Sequence, residues 1–536
     1  MEPGREGELQ RRHLPELRRQ AAEYYRSNEV PQRLEEALNA TFYLRPADLY
    51  GHLANYFSTF SKPPVICRLI GRKVLDGVGQ PTLEVEIFCT VKNYEKSICS
   101  IVVSSHSEIL ENASPEAIDA DEKERNDSIN RALEWVNGSL NEMLRDLQPV
   151  LHIYFTDFYC NKINSWKKSS VAEKPIPPME PIEPVLCGSI AIGGLSLAVA
   201  KTGATINNTP LYLHLALMKH NQDLPKELTV PLPMVTLLSC GKSSSGKLKL
   251  MKEVMLIPPT ELTVKQVLSV IQIWDHLTKV FQDTDPRKVK TKIILKRISH
   301  LGCLITGCDS LEQPLSLMQT ACKNLGLELG IHVHLAINCA AHELMDYTKG
   351  KYEILTGTLK SPDEMVDMYV DLINKYPSII ALVDPLRKED DQQWSNICNA
   401  VGSRCYLIAE DASKSISKLM EDQNINVPKC SGLIIKYTNQ TKISDLTELT
   451  RLLDGQRHIA ILGSPAGESS DDSLVDLAVG LGARFIKLGG LSRGERVTKY
   501  NRLLAIEEEL AKNGTLRMTF LIFSSEGEAA KETQPI

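Results

Sequence analysis

The chain has 536 residues, 43% of them hydrophobic and 24% charged, with a formal net charge of −6 at pH 7. That length implies two to four domains with sizeable cores, while the mild negative charge gives no footprint for nucleic acid and no apolar run reaches the roughly 20 residues of a membrane span. The polar N-terminus does not read as a signal peptide, and the 13 scattered cysteines, with no C-x-x-C spacing, read as free thiols in a reducing compartment with no zinc site, so a cytoplasmic location is expected.

Residues 1–27 are polar and expected to fray at the start, with Arg11, Arg12, Arg18 and Arg19 as a solvated face. In 30–64, Leu34, Leu38 and Phe42 recur every four residues and so share one helix face. Pro46 is expected to open a second helix with Leu49, Leu53, Tyr56, Phe57 and Phe60 on one side. Helices this short do not bury such faces alone. Either they pack on the next domain as an ordinary hairpin, or two copies form a four-helix bundle and the protein is a homodimer. The run of Pro, L-x-x-x-L and R-P-x-D-L-Y resembles the dimerisation/docking module of protein kinase A regulatory subunits. The resemblance implies that the paired helices of a 1–62 module grip an amphipathic helix on a partner protein.

Residues 65–70 and 82–90 alternate as antiparallel strands, joined by a hairpin loop at Gly77 and Gly79-Gln80-Pro81. Helical periodicity covers about 126–150 through Ile129, Leu133, Val136, Leu140 and Leu144. A proline-rich insertion at 174–185 precedes a small-residue helix at 188–204, so 63–215 reads as an α+β domain. From 228 the pattern changes to short apolar runs that end on polar residues: Asn338, Asp384, Glu410, Lys436, Ser464 and Lys487. Their separations are 46, 26, 26, 28 and 23 residues, and all but the first match one βα unit. This spacing predicts a (β/α)₈-type barrel over 228–515, followed by a polar tail at 516–536. In such a barrel the strand ends meet, so two lysines and at least one carboxylate should share a cavity. Residues 241–247 fit G-x-x-x-x-G-K, but Leu248 stands where a P-loop needs Ser or Thr for Mg²⁺. We read that stretch as a Ser/Gly loop over the barrel mouth.

The segments 74–88, 188–204, 250–258 and 467–510 together resemble the enolase family. The resemblance covers about 66–515 and implies an α+β domain before a barrel of slightly irregular strand order. It also implies the reaction: a lysine removes the C2 proton of 2-phosphoglycerate, Mg²⁺ stabilises the intermediate, and a glutamic acid helps expel the C3 hydroxyl. By matching segments Lys436 takes the base position, Lys487 lies near the substrate carboxylate and Glu253 contacts substrate. The three metal carboxylates match Asn338, Val383 and Glu410, and Ser107 matches the mobile metal-binding loop. Leu301 stands where the acid should be, Pro465 replaces a phosphate-binding arginine, and the loop histidine falls within 243–245. A divergent, sperm-associated branch of the family shares the added N-terminal segment. That implies a flagellar location, with a cytoskeletal or flagellar protein as the source of the docked helix. A catalytically inactive enolase-fold scaffold is the second reading.

Overall fold

The computed structural model describes residues 5–104, 115–149, 186–242, 244–258, 297–413, 416–422, 429–436, 441–465 and 467–517. The proline-rich insertion, Ser107 and the polar tail beyond 517 lie outside these residues. Residues up to Val65 together with Cys89–Lys96 form one compact unit, and the remaining residues form a second.

The first unit is helical from Arg5, against the expectation of a frayed start. Helix α1 (Arg5–Ser27) is rich in Glu, Leu, Gln, Arg and Ala, all strong helix formers. A solvated Arg19–Glu16 pair at 3.0 Å adds a little support. Helix α2 (Val30–Leu44) follows, and α3 (Leu49–Ser58) begins three residues after Pro46 rather than at it. The reason is Asp48, whose Oδ1 accepts the Gly51 N–H at 2.9 Å and caps the helix. The two helices meet through Tyr56 Oη donating to Glu36 at 3.0 Å and through the Arg33 guanidinium 4.6 Å above the Phe60 ring. Of α2, the small residues Ala37 and Thr41 are buried, whereas Leu34, Leu38 and Phe42 are 44%, 58% and 66% exposed.

After the helices comes a three-stranded sheet, β1 (Val65–Leu75), β2 (Pro81–Val91) and β3 (Tyr94–Val102), in that order, all of it in the second unit except Val65 and Cys89–Lys96. The sequence reading expected the first two. The free edge of β1 is met by the backbone at 146–147, which exchanges two hydrogen bonds with Ile66, and by side chains: Asn141 and Asn137 accept the Leu69 and Gly71 N–H groups, each at 2.8 Å. The single helix expected over 126–150 is two, α4 (Pro115–Asn137) and α5 (Ser139–Leu144), broken at Gly138. α4 starts earlier than its apolar spacing suggests because its first turns are charged. Helix α6 (Ile190–Ile206) is buried on nearly every side. A Cβ at Gly194 would lie 2.7 Å from Val103 Cγ2, so glycine is what admits the sheet so close. Helix α7 (Leu211–Lys219) follows. Among the described residues no single helix is long and apolar enough to cross a membrane, and the apolar α6 and α7 meet at a bend of 107°.

The rest is the barrel. Its strands are β4 (Leu232–Cys240), β5 (Met251–Ile257), β6 (His334–Asn338), β7 (Ile379–Val383), β8 (Tyr406–Ala409), β9 (Gly432–Lys436), β10 (Ile459–Gly463) and β11 (Phe485–Gly489). They are neighbours in that order, and β11 pairs with β4 to close the ring. The pairs from β6 to β11 and back to β4 are parallel, but β5 is antiparallel to both of its neighbours. The evenly spaced units in the sequence are β6–β11. The strand order itself is sequential, and the irregularity that the family resemblance implied lies instead in direction, in the β4–β5 hairpin, which no periodicity of βα units could reveal.

Side chains alternate along each strand. One set forms the barrel interior: Leu232 and Met234, Met255 and Ile257, Ala336, Ala381 and Val383, Tyr406 and Ile408, Ile434, Ile461 and Phe485. Continuing these rows by two residues toward the mouth reaches Thr236, Glu253, Asn338, Glu410, Lys436, Gly463 and Lys487. The apolar stack thus turns polar in its last layer, as a barrel of this kind requires at its functional end. Because β5 runs the other way, Glu253 enters that layer from the beginning of its strand.

Candidate active site in the barrel mouth

The strand register sets the layer. Glu253 is opposite Asn338, Asn338 opposite Val383, Lys436 opposite Gly463, and Gly463 opposite Lys487. The four described residues expected to form the site, Glu253, Glu410, Lys436 and Lys487, are therefore brought together.

They are joined by ion pairs. Lys487 Nζ lies 2.7 Å from Glu253 Oε1 and 2.9 Å from Glu410 Oε2. Lys436 Nζ lies 3.1 Å from Glu410 Oε1 and 3.1 Å from Asp411 Oδ1. Glu253 is 1% exposed and Lys487 6%, so the lysines and carboxylates expected to meet at the strand ends do meet, packed against one another, and a snorkelling lysine does not describe Lys487. Burial pushes the Glu253 carboxyl up, but the Lys487 ammonium and hydrogen bonds from Thr236 and Asn338 outweigh it and hold the group down to about 2. Glu410 is likewise held below its ordinary value, against burial, by Lys436 and Lys487. Both lysines are held above theirs: burial works against the ammonium, and the carboxylates overcome it.

Asn338 shows why this pocket differs from a metal site. Its Nδ2 donates to Glu253 Oε1 at 2.8 Å and to Glu410 Oε2 at 3.3 Å, and its Oδ1 accepts the Ala340 N–H at 3.1 Å. An aspartate there would set a third negative charge against two buried carboxylates. The amide turns the same contacts into hydrogen bonds. Val383 is fully buried and belongs to the apolar interior. Of the three family metal positions only Glu410 is a carboxylate, and its oxygens are taken by two ammonium groups. These positions do not fit Mg²⁺, which needs oxygen donors in near-octahedral array.

Asp384, the residue after β7, is 1% exposed and has a φ of 44°. Its carboxylate accepts the backbone N–H groups of Glu410 and Asp411 at 2.8 Å each and of Ala412 at 3.2 Å. It thereby fixes the turn that carries both acids. Burial and the charges of Asp411 and Glu410 push the Asp384 carboxyl up to about 6. Donor atoms of His342, Asp384 and Asp411 lie within 4.8 Å of one another, a mixed group that sequence spacing does not single out. His342 Nε2 stands 3.9 Å from Asp411 Oδ2. These three residues could hold a metal ion, although Asp384 also accepts three backbone N–H groups and Asp411 also pairs with Lys436.

The remaining departures fall around the same mouth. The Leu301 carbonyl accepts the Gly490 N–H at 2.7 Å, which puts an apolar residue beside the turn that follows β11. Arg496, fully buried, donates to Ser464 Oγ at 2.8 Å and to the Pro465 carbonyl at 3.4 Å. Sequence reading missed Thr236, whose hydroxyl donates to Glu253 Oε2 at 2.7 Å, and the Lys252–Glu343 pair at 2.5 Å. The inward alternation of β4 would have found Thr236.

Residues 227–519 match the family model of the enolase C-terminal TIM barrel domain, which is more than half of the chain. The chain belongs to the enolase family. It is 54% identical to the human protein named Enolase 4, over 97% of this chain and 93% of the relative. To the Danio rerio protein of the same name it is 38% identical over 92% of this chain and 91% of the relative. To the Arabidopsis thaliana protein named Cytosolic enolase 3 it is 27% identical, over 91% of this chain and 96% of the relative. Family membership makes Mg²⁺ the usual cofactor, and this enolase-type pocket meets it with lysine and amide instead.

Proposed function

We propose that the barrel carries out an enolase-type lyase reaction on 2-phospho-D-glycerate, giving phosphoenolpyruvate and water, at a rate far below that of a site with the full residue set. The observation that carries this reading is the single layer holding Lys436, Lys487 and Glu253. Lys436 is the proton acceptor at C2. Lys487 draws the substrate carboxylate, which competes with Glu253 and Glu410 for its ammonium. In the resting pocket the carboxylates hold Lys436 protonated, so it must shed its proton before it serves as a base. Expulsion of the C3 hydroxyl has no acid at Leu301 and becomes the slow step.

Removal of the C2 proton should therefore outrun product formation. In deuterated buffer, magnetic resonance reads loss of the C2 proton from 2-phosphoglycerate while a coupled assay reads phosphoenolpyruvate, each with and without Mg²⁺. Lys436→Ala should lower exchange about 10²–10⁴-fold. Residual exchange near wild type would remove Lys436 from the role.

A second reading is favoured by Leu301 and by the lysine-filled metal position: a non-catalytic enolase-fold scaffold. It stands if neither exchange nor product is seen. In it the N-terminal helices pair two chains and bind an amphipathic helix of a cytoskeletal or flagellar protein. Under either reading we assign the protein to the cytoplasm and the sperm flagellum, on the sequence resemblance.

A further inference from the structure

The reactive groups that the pocket leaves unused are cysteines, and two of them face each other at its rim. Cys240 ends β4, and Cys308 follows the short strand Leu304–Ile305, which pairs with β4 in parallel through Leu238↔Leu304 and Ser239↔Ile305. Their Sγ atoms are 3.6 Å apart, and both residues are buried, at 0% and 1% exposure. A disulfide needs about 2.05 Å, so a modest approach of two side chains already aimed at each other suffices. Other cysteines are placed differently: Cys303 meets Ser299 Oγ at 3.0 Å, Cys99 meets Thr202 Oγ1 at 3.0 Å, and Cys187 is exposed.

The backbones around the pair are already fixed. Thr306 N–H donates to Ser239 O at 3.0 Å, and Leu248 N–H donates to Cys308 O at 2.8 Å. A Cβ at Gly246 would lie 2.3 Å from the Cys308 backbone nitrogen, so the Ser/Gly loop rests directly on that residue. The thiols are also unequal. The hydrogen bond from Cys240 draws the Cys308 thiol below its ordinary value, and the same bond together with burial pushes Cys240 up.

We propose that Cys240 and Cys308 are an oxidative modification site, at which hydrogen peroxide makes a disulfide that fastens the loop after β4 to the segment beneath it. The Cys308 thiolate attacks a peroxide oxygen, the O–O bond breaks, and hydroxide leaves with a proton to become water. The Cys240 sulfur then displaces the sulfenic oxygen, forming S–S and releasing a second water. Two thiols lose two electrons to one peroxide. The loop so fastened borders the mouth described above, and the bridge restricts access to it.

The test uses the full-length protein, reduced, exposed to stoichiometric hydrogen peroxide, alkylated and digested. A Cys240–Cys308 peptide should be the first bridge to accumulate by mass spectrometry. It should be absent from Cys240→Ser and from Cys308→Ser, and retained in Cys303→Ser. Wild-type protein unfolded in urea should lose the preference. An equal yield of that peptide from the unfolded chain, or bridging of Cys308 to Cys303 or Cys187 instead, overturns the proposal without any variant having to fold. Bridged protein should also be cut by trypsin after Lys247 and Lys249 several-fold more slowly than reduced protein, and an unchanged cleavage rate overturns the fastening.

Discussion

In the barrel mouth, Glu253, Glu410 and Lys487 are charged yet buried; in the N-terminal helices, Leu38, Phe42 and Tyr43 are apolar yet 58%, 66% and 84% exposed. The first arrangement is costly unless every charge is paired within the chain, and the contacts at 2.7–3.3 Å show that the pairing is complete. The second leaves apolar surface in water, the kind of patch that marks a surface another molecule can cover. A self-satisfied pocket has little need of a metal ion, whereas an exposed apolar helix face is open to another molecule. The two regions therefore call for opposite experiments.

The largest effect should come from the uncovered face. Light scattering of the 1–64 segment should give twice its chain mass, and Leu38→Asp with Leu53→Asp should return it to one. Each leucine contributes roughly 1.5–3 kcal/mol on burial, and a symmetric pair loses four of them. A monomeric unsubstituted segment would leave an ordinary helical extension. Next comes the covered charge. Lys487→Met leaves Glu253 without a cation and Glu410 with Lys436 alone, and stability should fall by about 3–5 kcal/mol in urea unfolding. A loss within a few tenths would mean that the ion pairs are not what orders the pocket.

Acid should reveal the same pairing with a definite sign. Glu253 has an ordinary value of 4.5 and is held at about 2, so its contribution is present above 4.5 and is lost as pH falls toward 2. Asp384 works the other way. Raised from 3.8 to about 6, it costs stability above 6, and that cost is relieved as pH falls toward 3.8. Stability should then rise on mild acidification before it collapses, and Asp384→Asn should remove the rise alone, read by thermal melts across pH. The smallest effect concerns the metal. Wild-type protein should bind Mg²⁺ weakly by calorimetry, and Asn338→Asp with Val383→Glu should tighten it by at least about tenfold, or 1.4 kcal/mol. Tight binding by the unsubstituted pocket would contradict the role given to Lys487 and Asn338.

The sequence made the six strand ends from Asn338 to Lys487 readable because βα units repeat at near-constant length and parallel strands all end on the same side. It could not show that Lys487 joins Glu253 to Glu410. That contact links residues 234 positions apart, and no local period carries it. The antiparallel course of β5 was likewise hidden, since a seven-residue apolar strand reads the same in either direction. Helix α1 was missed for another reason. Leu14, Leu17, Ala21 and Tyr24 are spaced three or four apart and mark a helix face, but the density of charge around them hid it behind a reading of composition alone. Asp384 was visible as a strand-end carboxylate. Its grip on three consecutive backbone N–H groups was not, because it depends on a turn formed by another strand.

The reversed course of β5 has a consequence for how this chain can change. Every connection between two parallel barrel strands must travel the height of the barrel and return, so its length is constrained. The link from Cys240 to Met251 need only turn around, and it does so at the mouth. Lengthening a flexible link costs little, about 0.6 kcal/mol for each doubling. Residues inserted there would leave the eight-stranded ring intact while altering what enters it. Insertions and deletions can accumulate there with little harm to folding and much influence on what the pocket admits.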